Sequence, residues 1–160
     1  MAQKFFIPLR KLINTFLSFD VDSIALEIAK TNAFQTLVIK LNTEGLPTSQ
    51  LYQLGEDSTG RTLESIGGGY SPFTIEEKKR KGQPTDRVTL KDTGDFYLSF
   101  SVIPFKGGFE ITANPIKDDT NLFEEWGKEI LGLNQVNLQI IINFYAKTIS
   151  EKINQKLRAA

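Results

Sequence analysis

Neither cysteine nor histidine occurs among the 160 residues of this chain. Their absence excludes disulfide frameworks, zinc sites built from nitrogen and sulfur ligands, haem attachment, and every mechanism that uses a cysteine nucleophile or a histidine base. General acid–base catalysis at neutral pH would then depend on a carboxylate or lysine with a strongly shifted pKa. We therefore expect no enzymatic activity, no cofactor and no metal site.

Long apolar runs are also missing from the sequence. No stretch approaches the roughly 20 apolar residues that span a bilayer, so we expect no membrane partner. The segment from Met1 to Pro8 is too short in apolar length for a signal peptide and lacks a small-residue cleavage site. The sequence therefore predicts a protein that stays in the cytoplasm of the cell that makes it.

Charge of one sign does not dominate, because 19 basic and 19 acidic residues give a net charge of zero. This balance argues against a dedicated nucleic-acid-binding module, which usually carries a positive excess. The charges are nevertheless clustered: segment 76–91 has six cations and three anions, and segment 117–129 has five anions and two cations. Two such patches suit a surface that docks against copies or neighbours, although solvated faces explain them equally well.

The apolar pattern predicts an α+β fold with N-terminal helices, a small antiparallel sheet with a hairpin, and a long C-terminal helix. We expect one domain over 1–160, with 1–18 as an arm and 56–71 as a flexible loop. The predicted elements are a helix over 8–18, a helix from Asp20 to about Asn42, a helix from Ser71 to Gly82, a helical turn through 96–98, a hairpin around 106–108, a short helix over 120–126 and a terminal helix capped by Asn134.

Two motifs in the central region suggest other functions. Asp92-Thr93-Gly94 matches the catalytic triplet of aspartic proteases, but Lys91 and Asp95 flank it where apolar and small residues are usual. A helix cap explains the triplet more simply, and an aspartic hydrolase is a remote alternative. The basic run 78–81 is compatible with a solvated helix end, an intersubunit salt-bridge face or a sequence-independent nucleic-acid contact that uses segment 78–91.

Two blocks of sequence resemble the tail-completion, or virion-morphogenesis, proteins of tailed bacteriophages. The first contains Ser71-Pro72 and Thr74 before the basic helix, then Leu90, Thr93-Gly94, Phe96 and Ser99 at the family's spacing. The second is Ile130-Leu-Gly-Leu-Asn134, which resembles the family's entry into its last helix. The resemblance covers roughly residues 70–157.

The resemblance implies a structural virion protein without enzymatic activity, which forms a homo-oligomeric ring at the junction of portal, neck and tail. Its expected partners are further copies of itself, a portal or adaptor protein and tail proteins, with non-specific contact to packaged DNA as an addition. It would reside in the virion and, during assembly, in the host cytoplasm. The residues expected at the assembly interface are basic or aromatic on one side and acidic or aromatic on the other: Tyr70, Phe73, Lys78, Lys79, Arg80, Lys81 and Arg87, then Asp118, Asp119, Glu124, Glu125 and Trp126.

Overall fold

The structure is a computed structural model that describes residues 18–117 and 120–159. The predicted helix over 8–18, nearly all of the arm, and the acidic pair Asp118 and Asp119 lie outside the described residues. Its helices are α1 (Val21–Ala29), α2 (Asn32–Asn42), α3 (Leu63–Gly67), α4 (Pro72–Arg80), α5 (Asp95–Leu98), α6 (Leu122–Trp126) and α7 (Gln135–Ala159), with a π-helical turn at Gln50–Leu54 and a 3-10 turn at Lys128–Ile130. The α+β prediction is confirmed.

The single helix predicted from Asp20 to about Asn42 is wrong, because the chain forms two helices with a break at Lys30 and Thr31. Asp20 caps α1 as expected, accepting a hydrogen bond from the Ser23 amide at 3.2 Å. The Thr31 backbone is extended, and its hydroxyl oxygen accepts from the Phe34 amide at 3.3 Å. A threonine in that conformation starts a new helix rather than continuing the old one.

Strands β1 (Ser101–Phe105) and β2 (Gly108–Thr112) form the predicted antiparallel hairpin, with Lys106 and Gly107 as its turn. Gly107 has a φ of +93°, which a residue without a Cβ adopts at low cost. A second two-stranded sheet joins β3 (Ile116–Lys117) to β4 (Thr120–Asn121). The hairpin and helices α1, α2 and α7 bury the first core against one another.

Two buried clusters make up the interior. The first consists of Ile24, Ile28, Ala29, Phe34, Val38, Leu41, Val102 and Ile141. The second consists of Leu51, Leu63, Val88, Phe96, Tyr97, Phe100, Leu122 and Ile130. Ile39 and Ile111 pack against both clusters, so the two cores are continuous.

Segment 56–71, predicted as a flexible loop, contains helix α3 and two side chains that are fully buried, Asp57 and Leu63. The Asp57 carboxylate organises the turn before α3, because it accepts from the Thr59 amide at 2.8 Å and from the Arg61 amide at 3.0 Å. Arg61 also pairs with the same carboxylate at 2.8 Å. These hydrogen bonds satisfy backbone amides of the segment that would otherwise need water as their partner.

A group of buried amides joins the start of α7 to the end of α2. Asn134 caps α7 as predicted, accepting from the Asn137 amide at 3.0 Å. The Asn137 side chain in turn donates to the carbonyls of Leu41 at 3.1 Å and Thr48 at 2.8 Å. Leu41 is in the last turn of α2, where carbonyls have no partner within the helix, so Asn137 satisfies one of them.

Candidate assembly surface

A cleft of about 360 Å³ brings both predicted sides of the assembly surface together. Helix α4 and segment 88–92 supply its basic part, while α6 and the second sheet supply the remainder. The predicted residues that line it are Tyr70, Lys78, Lys81, Glu125 and Trp126, and the lining residues that were not predicted include Glu77, Lys91, Asp92 and Lys117. The opposite charges are therefore neighbours around one depression.

Lys78 is buried, with only 5% of its surface exposed, and its ammonium group faces inward. It donates to the Lys91 carbonyl at 2.6 Å, the Gln83 side-chain oxygen at 3.1 Å and the Thr89 hydroxyl at 3.4 Å. The ammonium also lies 4.7 Å from the centre of the Tyr70 ring. Lys78 therefore fastens helix α4 to the segment that follows it.

Segment 88–92 folds around Thr89, which is fully buried. The Thr89 amide donates to the Tyr70 hydroxyl at 2.8 Å, and its carbonyl accepts from the Tyr97 hydroxyl. Leu90 has a φ of +55°, a strained value for a residue with a bulky side chain. Burial raises the pKa of the Tyr97 hydroxyl well above its usual value, so this group stays protonated and can donate its hydrogen bond to the Thr89 carbonyl.

Asp92 binds two lysines at the edge of the cleft. Its Oδ1 accepts from Lys81, and its Oδ2 lies 2.9 Å from the Lys117 ammonium. The bond from Lys81 and then the one from Lys117 lower the pKa of the carboxyl group to about 2. The Asp-Thr-Gly triplet thus contributes a carboxylate to ion pairs, and Gly94, at a φ of +104°, is the N-cap of α5.

Replacement of Asp92 by asparagine should remove part of the loss in free energy of unfolding that the wild-type protein shows as the pH falls into the acid range. The folded-state pKa lies below the ordinary value of 3.8, so the carboxylate stabilises the fold above that pH and loses this contribution as the pH falls through about 2. The expected effect is at most about 1 kcal/mol, since the side chain is 39% exposed and water screens the pairs.

Urea unfolding at a series of pH values measures this contribution. The free energy of unfolding of the wild-type protein should decline more steeply between pH 3.8 and about pH 2 than that of Asp92→Asn. Parallel curves for the two proteins would contradict the assignment.

Trp126 lies against helix α3 at the other side of the cleft. A Cβ atom added to Gly67 would meet the indole ring at 2.5 Å, a distance that carbon atoms do not tolerate. Gly67 is therefore the residue that lets the indole approach the backbone of α3. The contact positions Trp126 as a wall of the cleft.

Gly67→Ala should displace the indole of Trp126, even though alanine favours the helix. Trp126 is the single tryptophan of the chain, so a shift in its fluorescence emission reports the movement directly. Ser65→Ala, an exposed change in the same helix, is the matched control and should leave the emission unchanged. An unaltered fluorescence emission spectrum in Gly67→Ala would show that the contact with Gly67 does not fix the position of the Trp126 indole.

The other predicted basic residues do not line the cleft, and most of them are engaged within the molecule. Lys79 pairs with Glu76 at 3.0 Å. Arg87 pairs with Asp86 at 2.8 Å and donates to the Tyr52 carbonyl at 2.9 Å. Among the described residues, Arg80 has no ion-pair partner and is exposed.

The remaining predicted residues are exposed. Phe73 has 69% of its surface exposed on α4. Glu124 accepts from the Asn121 side chain at 3.1 Å, and Glu125 faces the cleft. Within the described part of the chain, Glu125 forms neither an ion pair nor a side-chain hydrogen bond.

The hairpin presents an apolar face that was not predicted as part of the surface. Ile103 is 50% exposed and Phe105 is 53% exposed, whereas Val102, on the opposite face of β1, is buried in the first core. The sequence showed that apolar side chains alternate along β1, but this pattern does not determine which face of the strand packs against the core. Leu98, which is 85% exposed, precedes the strand.

Within residues 18–117 and 120–159, the structure contains no group of three or more acidic residues placed to hold a metal ion. In the same ranges, no helix is both long and apolar enough to cross a bilayer. Comparison with family models, with curated proteins and with solved structures finds no match to this chain.

Proposed function

We propose that this protein is a structural component of a tailed-phage virion and forms a homo-oligomeric ring at the portal–neck–tail junction. The observation that carries the proposal is the half-exposed pair Ile103 and Phe105 on the outer face of the hairpin. Contiguous exposed apolar surface is a common feature of protein–protein contact sites. The sequence resemblance described above supports the same role.

The composition of the cleft adds support. It combines an indole, a phenol and charges of both signs, and tryptophan and tyrosine are enriched among the residues that dominate binding energy at interfaces. A ring requires each subunit to present two different surfaces, one for each neighbour. The hairpin face and the cleft are two such surfaces, because the hairpin packs on the first core and the cleft borders the second.

The mass of the purified protein in solution tests the proposal. Light scattering from about 50 to about 500 mM salt, with and without portal protein encoded by the same genome, should reveal a closed oligomer of defined copy number, alone or on the portal. Electron microscopy of the same sample should show rings. A monomer that is indifferent to salt and portal would overturn the proposal.

A further inference from the structure

We propose that the hairpin tip of one subunit, Phe105 with Lys106, inserts into the cleft of a second copy, where Trp126 and Glu125 receive it. This inference rests on the proposed ring and names the contact that would build it. Its chemistry is that of an aromatic ring against an indole and an ammonium against a carboxylate.

The tip is prepared for such a contact. Phe105 is 53% exposed, and its ring lies over Gly108, where an added Cβ would meet the ring at 3.1 Å. An aromatic side chain that is already held against the backbone loses little freedom on binding. The adjacent Lys106 is exposed, and no described carboxylate lies within ion-pair distance of it.

The Asp20 carboxylate lies within electrostatic range of Lys106 in the same subunit, but the two groups form no ion pair. The Asp20 oxygens instead accept hydrogen bonds from the amide and the hydroxyl of Ser23 at the start of α1. Asp20 is therefore committed to capping a helix. The ammonium of Lys106 remains available to a carboxylate on a neighbour.

The cleft offers the complementary group. All four lysines that line it are engaged: Lys78 binds neutral oxygens, and Lys81 and Lys117 share Asp92. Lys91 pairs with Glu44. Of the acidic residues that line it, Glu77 and Glu125 have no ion-pair partner among the described residues, and Glu125 is the one beside an indole that can also attract a cation.

The two surfaces differ, so the contact is head-to-tail rather than self-complementary. A head-to-tail contact generates a ring when its rotation closes and a filament when it does not. The aromatic anchor accounts for affinity, and the Lys106–Glu125 pair fixes the orientation in which the tip enters. One contact, repeated by every subunit, is then sufficient for the ring.

Charge reversal tests the pairing. Lys106→Glu and Glu125→Lys should each raise the protein concentration needed for half-assembly by about tenfold, equivalent to about 1.4 kcal/mol per contact. A chain that carries both changes should assemble at nearly the wild-type concentration. Lys147→Glu, an exposed change on α7, is the matched control and should leave assembly unaltered.

A second measurement uses the absence of cysteine from the natural sequence. Lys106→Cys and Glu125→Cys proteins, mixed and treated with a short bis-maleimide, should give a crosslinked dimer that neither variant gives alone, because the crosslinker spans the gap that the lysine and glutamate side chains bridge in the proposed ion pair. Circular dichroism of each variant checks that it remains folded.

The outcomes separate the two proposals. If both single-reversal variants form rings at the wild-type concentration, the hairpin-in-cleft contact is overturned while the ring proposal stands. The same holds if the mixture of cysteine variants yields no specific crosslink. A wild-type protein that forms no oligomer under any condition, with portal included, would overturn both. Reversal variants that lose assembly without rescue in the double variant would also contradict the pairing.

Discussion

Phe34→Ala is expected to lower the free energy of unfolding by about 3 to 5 kcal/mol, the usual cost of removing a large buried aromatic ring. Phe34 is fully buried, and its ring centre lies 5.1 Å from that of Phe109, 5.9 Å from that of Phe144 and 4.9 Å from that of Tyr145. The ring thus joins helix α2 to both the hairpin and α7. Its loss leaves a cavity where three elements meet.

Urea denaturation followed by circular dichroism measures the loss. Phe73→Ala removes the same side chain from a position that is 69% exposed, and it should change the free energy of unfolding by no more than about 0.5 kcal/mol. If Phe34→Ala does not fold, Phe34→Leu gives a smaller, measurable loss at the same site. Equal effects at positions 34 and 73 would contradict the described core.

The second large effect is expected for Asn137→Ala, which should cost about 2 to 4 kcal/mol. The Asn137 side chain is fully buried and is the donor to the Leu41 and Thr48 carbonyls, at 3.1 and 2.8 Å. Its removal leaves the buried carbonyl of Leu41 and the partly buried carbonyl of Thr48 without that partner. A buried acceptor that loses its donor costs more than the bond itself contributes.

The matched control is Asn143→Ala on the exposed face of the same helix, where the asparagine side chain accepts a hydrogen bond from the Gln139 side chain at 3.0 Å. Its effect should stay within about 0.5 kcal/mol in the same urea titration. A loss at Asn137 no larger than at Asn143 would mean that the carbonyls of Leu41 and Thr48 do not need this donor.

Local sequence patterns predicted much of the secondary structure, because each depends on residues close together in the chain. The Ser71-Pro72 start of α4 is confirmed, with the Ser71 hydroxyl accepting from the Thr74 amide at 3.1 Å. The hairpin and the Asn134 cap are confirmed for the same reason. The break at Thr31 was missed because the apolar spacing continues across it, while its cap signal is a single residue.

The candidate surface depends on contacts that no local pattern encodes. Lys78 was grouped with the other cations of its run, yet its partners are Gln83, Thr89 and Lys91, which face it because the chain after α4 folds back against the helix. The contact between Trp126 and Gly67 joins residues far apart in sequence. Charge clustering indicated both sides of the cleft, but only the fold brings them together.

The position of α7 has a consequence for how the chain reaches its native state. The first core combines residues 24–41 with Val102 and Ile141, and Asn137 binds the carbonyl of a residue 96 positions earlier. Contacts with such wide sequence separation slow folding, because the intervening chain must be ordered before they form. During translation, α1 and α2 therefore emerge well before the helix that covers them, and their apolar faces stay open to chaperones, or to other nascent chains, until α7 is synthesised.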